Sequence, residues 1–259
     1  EDGYVEFASG TRVPLSQGTA LISGSINASD VSVGGVGGNV QLLGERVGLI
    51  DEAQIDVSGD AGGGVALIGG DYRGEGNLPT AARTLVGPDV VINANAVSSG
   101  DGGRVITWAD ETAGFYGSIN ARGGNLSGDG GFVEVSGREN LIFDGLVDTN
   151  SIYGSTGTLL LDPQNINIAS SVTTEGLESS LPDILKTDFA AADVTINPNV
   201  LQSQTGNIVL EATNDITVEQ GLSLLFSGDG TITITADADD NGKGRFLMDQ
   251  RQSINTQGR

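Results

Sequence analysis

One phrase recurs along this chain and limits what it can fold into: an apolar-x-apolar triplet led by glycine or another small residue. It occurs as GGNVQLLG (37–44), GGGVALIG (62–69), GGRVITWA (102–109), GGFVEVSG (130–137), TGTLLLDP (156–163), TGNIVLEA (205–212) and DGTITITA (229–236). The leading apolar residues are Val40, Val65, Val105, Val133, Leu159, Ile208 and Ile232, separated by 25, 40, 28, 26, 49 and 24 residues. Four of the six separations are similar, and 49 is close to two of them. The chain is thus a repeat of about 25 residues with two excursions, a loop insertion at 69–89 and a second insertion at 173–193. A unit this short cannot bury an apolar face alone, so successive units must stack on one another.

Each unit offers three short strands. A second phrase follows the first at fixed phase: SINAS (25–29), QIDVS (54–58), SINAR (118–122), LVDTN (146–150) and SINTQ (253–257). Between the two lies a third apolar stretch, such as RVGLI (46–50), NLIFD (140–144) and DITVE (215–219). Three strands per 25 residues suit one coil of a parallel β-helix, each strand pairing with its counterpart one coil up and one coil down. Alternation then predicts that Val40/Leu42, Val65/Leu67, Val133/Val135, Leu159/Leu161, Ile208/Leu210 and Ile232/Ile234 point inward in ladders. The glycines before them are expected to supply positive φ at the corners. In LLLDPQNINI (159–168), Pro163 ends one face and the next begins two residues later.

Outward positions are Gln41, Ala66, Ile106, Glu134, Leu160, Val209 and Thr233 on this reading. The segment 173–193 carries Leu177, Leu181, Ile184 and Leu185 at helical spacing. An external helix is predicted there, covering Leu160 and Val209. Trp108, with Phe115 and Tyr116, reads as external packing beneath a loop. The whole chain, 1–259, is expected to form one all-β, parallel β-helical rod segment.

Composition narrows the function. With 34 acidic and 12 basic residues the net charge is -22, which argues against nucleic acid and anionic membranes as partners. No apolar run approaches the roughly 20 residues of a membrane-spanning helix. Cysteine and histidine are both absent, which removes thiol nucleophiles, disulfides, most zinc sites and the usual imidazole base. The opening EDGYVEF has neither a basic nor an apolar leader pattern, and the chain is expected to be a piece of something longer.

Candidate chemistry is sparse. DADDNG (237–242) matches the start of a calcium loop, with Asp237, Asp239 and Asn241 as the candidate ligands and Gly242 at the bend. The twelfth loop position is Met248 and not Glu, and a strand precedes the loop, so it is no EF-hand; a plain solvated acidic turn is the competing reading. No cofactor is required, and calcium is the only candidate. β-Helical enzymes that act on polysaccharides use outward carboxylates with an Arg or Lys, which draws attention to Asp110 with Glu111 and to Asp51 with Glu52. Adjacent strand residues face opposite ways, so neither pair forms a site by itself. GDYRGEG (70–76) lacks the GK[ST] of a phosphate cradle. GDGG at 100–103 and 128–131 reads as corners.

The run GGRVITWADETAGFYGSINARGGNLSGDGGFVEVSG, together with GTLLLDPQNINI, resembles the filamentous-haemagglutinin-type large exoproteins, especially the cyanobacterial ones. GGDYRGEGNLPTAARTLV and ITADADDNGKGRF resemble further segments of that family, so the likeness covers most of the chain. The resemblance implies a right-handed parallel β-helix, exported by two-partner secretion through an outer-membrane pore and displayed outside the cell. The family's secretion domain with its Asn-Pro-Asn motifs is absent, the lone NPN at 197–199 standing in another context. The expected role is therefore a non-enzymatic, structural and adhesive rod segment, its surface receptor or glycan unspecified. The alternatives are a filament or layer subunit that self-associates through its coil ends, with outward Ile106 marking lateral contacts, and a polysaccharide-acting enzyme.

Overall fold

A computed structural model describes residues 4–6, 12–14, 18–170, 184 and 195–257. The described chain is a parallel β-solenoid of about eight turns. Its strands stack into three faces, here called sheets A, B and C. Sheet A runs through Asn39–Leu43, Val65–Ile68, Arg104–Ala109, Phe132–Gly137, Thr158–Leu161, Asn207–Ala212 and Ile232–Ala236, all parallel. Sheet B begins with Thr19–Ile22, Arg46–Leu49, Arg83–Val86, Thr112–Phe115 and Asn140–Phe143. Sheet C holds Ser25–Asn27, Gln54–Asp56, Val91–Asn93, Ser118–Asn120 and Leu146–Asp148.

The core is a set of columns one side chain wide. Sheet C contributes Ile26, Ile55, Ile92, Ile119 and Val147 in register, all buried. Sheet A contributes Val40, Ala66, Val105, Val133, Leu159, Ile208 and Ile232. On sheet B, Phe115 stacks on Phe143 at 5.5 Å between centroids. Identical or similar side chains one coil apart fill the interior at strand spacing, so hydrophobic burial and the parallel ladder enforce the same register.

Two expectations need correction here. Val65 and Leu67 face outward, because the register pairs Val40 with Ala66 and Leu42 with Ile68. The stretch Val65-Ala66-Leu67-Ile68 is apolar throughout, so alternation alone cannot choose its phase. Phe115 is a core residue and not external packing. Thr107, which falls on the inward ladder between Ile68 and Val135, is fully buried with an Oγ1 that finds no hydrogen-bond partner.

Of the glycines that lead into sheet A, Gly206 (φ 84°) and Gly230 (φ 110°) carry the expected positive φ, while others act differently. Gly63 does not have positive φ; a Cβ there would collide with the Ala94 carbonyl oxygen and the Gly103 nitrogen of the next coil. Close stacking of backbones demands glycine at this point. Positive φ is needed earlier in the corner, as at Gly100 (φ 85°).

The first excursion is shorter than the sequence suggests. Arg83–Val86 is a regular sheet B strand, so only 69–82 leave the solenoid. The second excursion coincides with a break in strand order. After Thr158–Leu161 the chain forms Ile166–Ile168, and only later Thr195–Ile196, which inserts between Asn140–Phe143 and Ile166–Ile168. The chain therefore skips one place on sheet B and returns to fill it. The helix expected over 173–193 lies outside the described residues, Ile184 excepted. Ile184 is buried on the outer face of sheet B against Leu85 and Ile142, not over Leu160 and Val209. The one α-helix among the described residues, Pro198–Ser203, is capped by Asn197, whose Oδ1 accepts from the Asn199 N–H. The NPN tripeptide thus starts a helix that stands where sheet C would continue; Gln204, just after it, bonds Val147 N and Gly145 O.

Candidate functional site

Two outer surfaces carry the chemistry of this molecule. The first is the outside of sheet A. Its middle ladder reads Gln41, Leu67, Ile106, Glu134, Leu160, Val209 and Thr233. The excursion at 69–82 lies across it. Leu67, Ile106 and Trp108 form a second apolar cluster, with Val65, Leu78 and Phe132 packed against it. Gly70 and Gly74 approach the indole so closely that a Cβ on either would strike it. Ile106 is fully buried, so it cannot mark a lateral contact.

Beside this cluster sits a charged clasp. The Arg73 N–H donates to both Glu134 oxygens, at 3.1 and 3.2 Å. The Arg73 guanidinium pairs with Glu211, and its Nε lies 3.7 Å from Asp162. Glu134, Asp162 and Glu211 belong to three successive coils, so the arginine crosses the coil that holds Leu160. Burial pushes the Glu134 carboxyl up to about 7, against the Arg73 N–H and the Ser136 hydroxyl. Burial likewise raises Asp162 to about 6, opposed by Arg73.

Outward carboxylates with an arginine are the arrangement sought in the sequence, but at other residues. Asp110 instead accepts bonds from Thr80, Trp108 and Arg138, and Glu111 pairs with Arg83 at 2.9 Å. Asp51 and Glu52 lie in an exposed turn. Glu134 was missed because it is an ordinary outward residue of a strand, and only the loop placed over it makes it unusual. With that loop in place Glu134 has no access to solvent, and the cluster serves as a fastening.

The second surface is the corner where sheet C turns into sheet A. Aspartates tie neighbouring coils together there. Asp60 accepts from the Ser98 hydroxyl and the Gly34 N–H, which hold its carboxyl below the usual range. Asp101 accepts from Asp129 N, and Asp129 from Ser155 N; this is the use of the two GDGG corners. The side chains thrust outward are apolar: Val31, Val33 and Val36 in the first coil, then Val97, Leu126, Ile152 and Tyr153 in three consecutive coils. Val33 is wholly exposed and Tyr153 is 70% exposed. Alongside runs a groove of about 500 Å³ lined by Asn95, Val97, Arg122, Asn125, Asn150 and others. Its Arg122 pairs with Asp148 at 3.1 Å.

The acidic loop at 237–242 is self-satisfied. The Asp237 carboxylate accepts from the backbone N–H groups of Asn241, Gly242 and Lys243. Desolvation opposes them, but together these bonds lower its pKa. The Asn241 amide donates to Asp239 at 2.6 Å. Calcium at Asp237, Asp239 and Asn241 would have to displace these bonds. Among the described residues no group of three or more Asp, Glu, His or Cys side chains is arranged to hold a metal ion, and no helix is long and apolar enough to cross a membrane. No protein-family model matches the chain, and no similar curated protein is found.

Proposed function

We propose that this chain is a non-enzymatic, structural and adhesive rod segment of a haemagglutinin-like exoprotein, displayed outside the cell after export through an outer-membrane pore. One observation carries the adhesive part. Most of the exposed large apolar side chains of the first five coils gather on a single corner, from Val31 to Tyr153, while the outer face of sheet A is covered. Contiguous exposed apolar side chains on a soluble scaffold favour a contact surface. The location and the export route rest on the sequence resemblance. The test is attachment of beads coated with the protein to cell and abiotic surfaces. A triple Val33→Asp, Leu126→Asp, Tyr153→Asp variant should lose attachment while its melting temperature stays within a degree or two; undiminished attachment would discard this corner as the adhesive face.

The filament reading takes copies of the chain as associating end to end through their coils. One end of sheet A carries the antiparallel strands Tyr4–Glu6 and Arg12–Pro14, which an incoming parallel coil cannot match in register. Electron microscopy of the protein at high concentration separates fibres from single short rods.

A further inference from the structure

We infer that the groove at the sheet C–sheet A corner is a binding site for a neutral oligosaccharide. The inference rests on the adhesive reading and names the class of ligand that the corner takes. Its lining excludes other classes. The one cation among the lining residues, Arg122, is already paired with Asp148, and Asp229 also borders the groove. On a chain of net charge -22, phosphate, sulfate and carboxylate ligands meet repulsion without a free counter-charge. An extended peptide adding to the wall would need open backbone groups. Here Ala96 N bonds Arg122 O, Gly123 N bonds Asn150 O and Asn125 N bonds Val97 O, so the coil ladder has used many of them.

Apart from the Arg122–Asp148 pair and Asp229, the lining is uncharged and amphipathic. Asn95, Asn125 and Asn150 come from three consecutive coils; Asn95 and Asn150 lie on either side of Arg122 in one column, and Asn125 stands further round the corner beside Val97. The side-chain amides of Asn125 and Asn150 make no hydrogen bond among the described residues, which leaves both donors and acceptors for hydroxyl groups. Asn95 is fixed by accepting from Arg122 N at 3.0 Å. Val97 and Ile152 supply apolar wall, and the exposed Tyr153 ring stands next to Ile152 in the chain. A pyranose chain presents hydroxyls at its edges and C–H groups on its faces, which fits alternating amides and apolar side chains. The floor is cross-linked coil to coil, so binding orders little of the protein.

The experiment is titration calorimetry of the whole chain with cellohexaose, maltohexaose and a galactomannan fragment, with polygalacturonate as the anionic comparison. Binding to at least one neutral probe is expected, insensitive to salt, and weakened about tenfold or more by Asn125→Ala and by Tyr153→Ala. Both variants should keep the parent melting temperature. No binding to any neutral probe, binding to polygalacturonate alone, or binding unchanged in both variants overturns the inference. If neutral glycans fail while the triple aspartate variant still loses surface attachment, the corner is adhesive toward something other than a neutral glycan, and only the glycan assignment falls.

Discussion

Trp108 and Tyr153 both project outward from neighbouring coils, yet the indole is 3% exposed and the phenol ring 70%. The difference lies in what the chain does between strands. After Ile68 it takes a detour through 69–82, whose glycines let it press onto Trp108, and the outer face of sheet A becomes a second core. At the corner after sheet C the chain instead turns tightly, bonded to the coils on either side, and contributes no cover. The outward apolar side chains there meet solvent. A solenoid has one inside but several outsides, and its insertions decide which outside is sealed.

The contrast can be broken first at its centre. Trp108→Ala should destabilise the protein by about 4 kcal/mol, as expected for losing a large buried aromatic. Leu126→Ser at the corner should cost under about 0.5 kcal/mol. Chemical denaturation of both compares them directly, and similar costs would show that the loop does not seal sheet A.

The covered face should also respond to pH. The carboxyls of Glu134 and Asp162 are raised in the folded chain, so the folded state holds their protons more tightly than the unfolded state does. Their stabilising effect is full below the ordinary carboxylate range. It is lost as pH rises toward about 6 for Asp162 and about 7 for Glu134. Removing the Glu134 titration by Glu134→Gln should flatten the fall in stability between pH 4.5 and 7.5 by on the order of 3 kcal/mol. A melting-temperature profile that keeps its slope in this variant would place the titration elsewhere.

At the corner itself, Gly63→Val should cost about 2 kcal/mol, because the new side chain meets backbone of the next coil. An unchanged melting temperature would mean that coils can part there without loss. The smallest effect concerns the acidic loop. Asp237→Ala should lower the melting temperature equally in millimolar calcium and in chelator, since the carboxylate binds the turn's own N–H groups. A calcium-dependent rise in the parent, absent in Asp239→Ala, would instead establish a metal site.

Much of the fold was legible in the residues. The columns of Ile26, Ile55 and Ile119 are visible as SIN and QID at a fixed phase, and the corners as GDGG. The copies Arg83–Val86 and Val91–Asn93 were harder to see, because the detour at 69–82 shifts them out of period. The skipped place on sheet B has no sequence signature at all: Thr195–Ile196 is two residues long, and its position depends on a vacancy left by other strands. Of the two candidate surfaces, the sequence displayed the residues but not their company. Glu134, Asp162 and Glu211 are far apart along the chain, and Asn125 and Asn150 are ordinary turn residues.

The amino-acid sequence by itself determined the period, the three strands per coil and the acidic, cysteine-free, histidine-free chemistry, because these depend on local alternation and composition. The tertiary structure decided which phase VALI adopts, which outward side chains are covered and which carboxylates share one arginine. Those outcomes follow from stacking and from where an excursion lands. Contacts between coils 25 or more residues apart are set by the whole solenoid and not by any stretch of it.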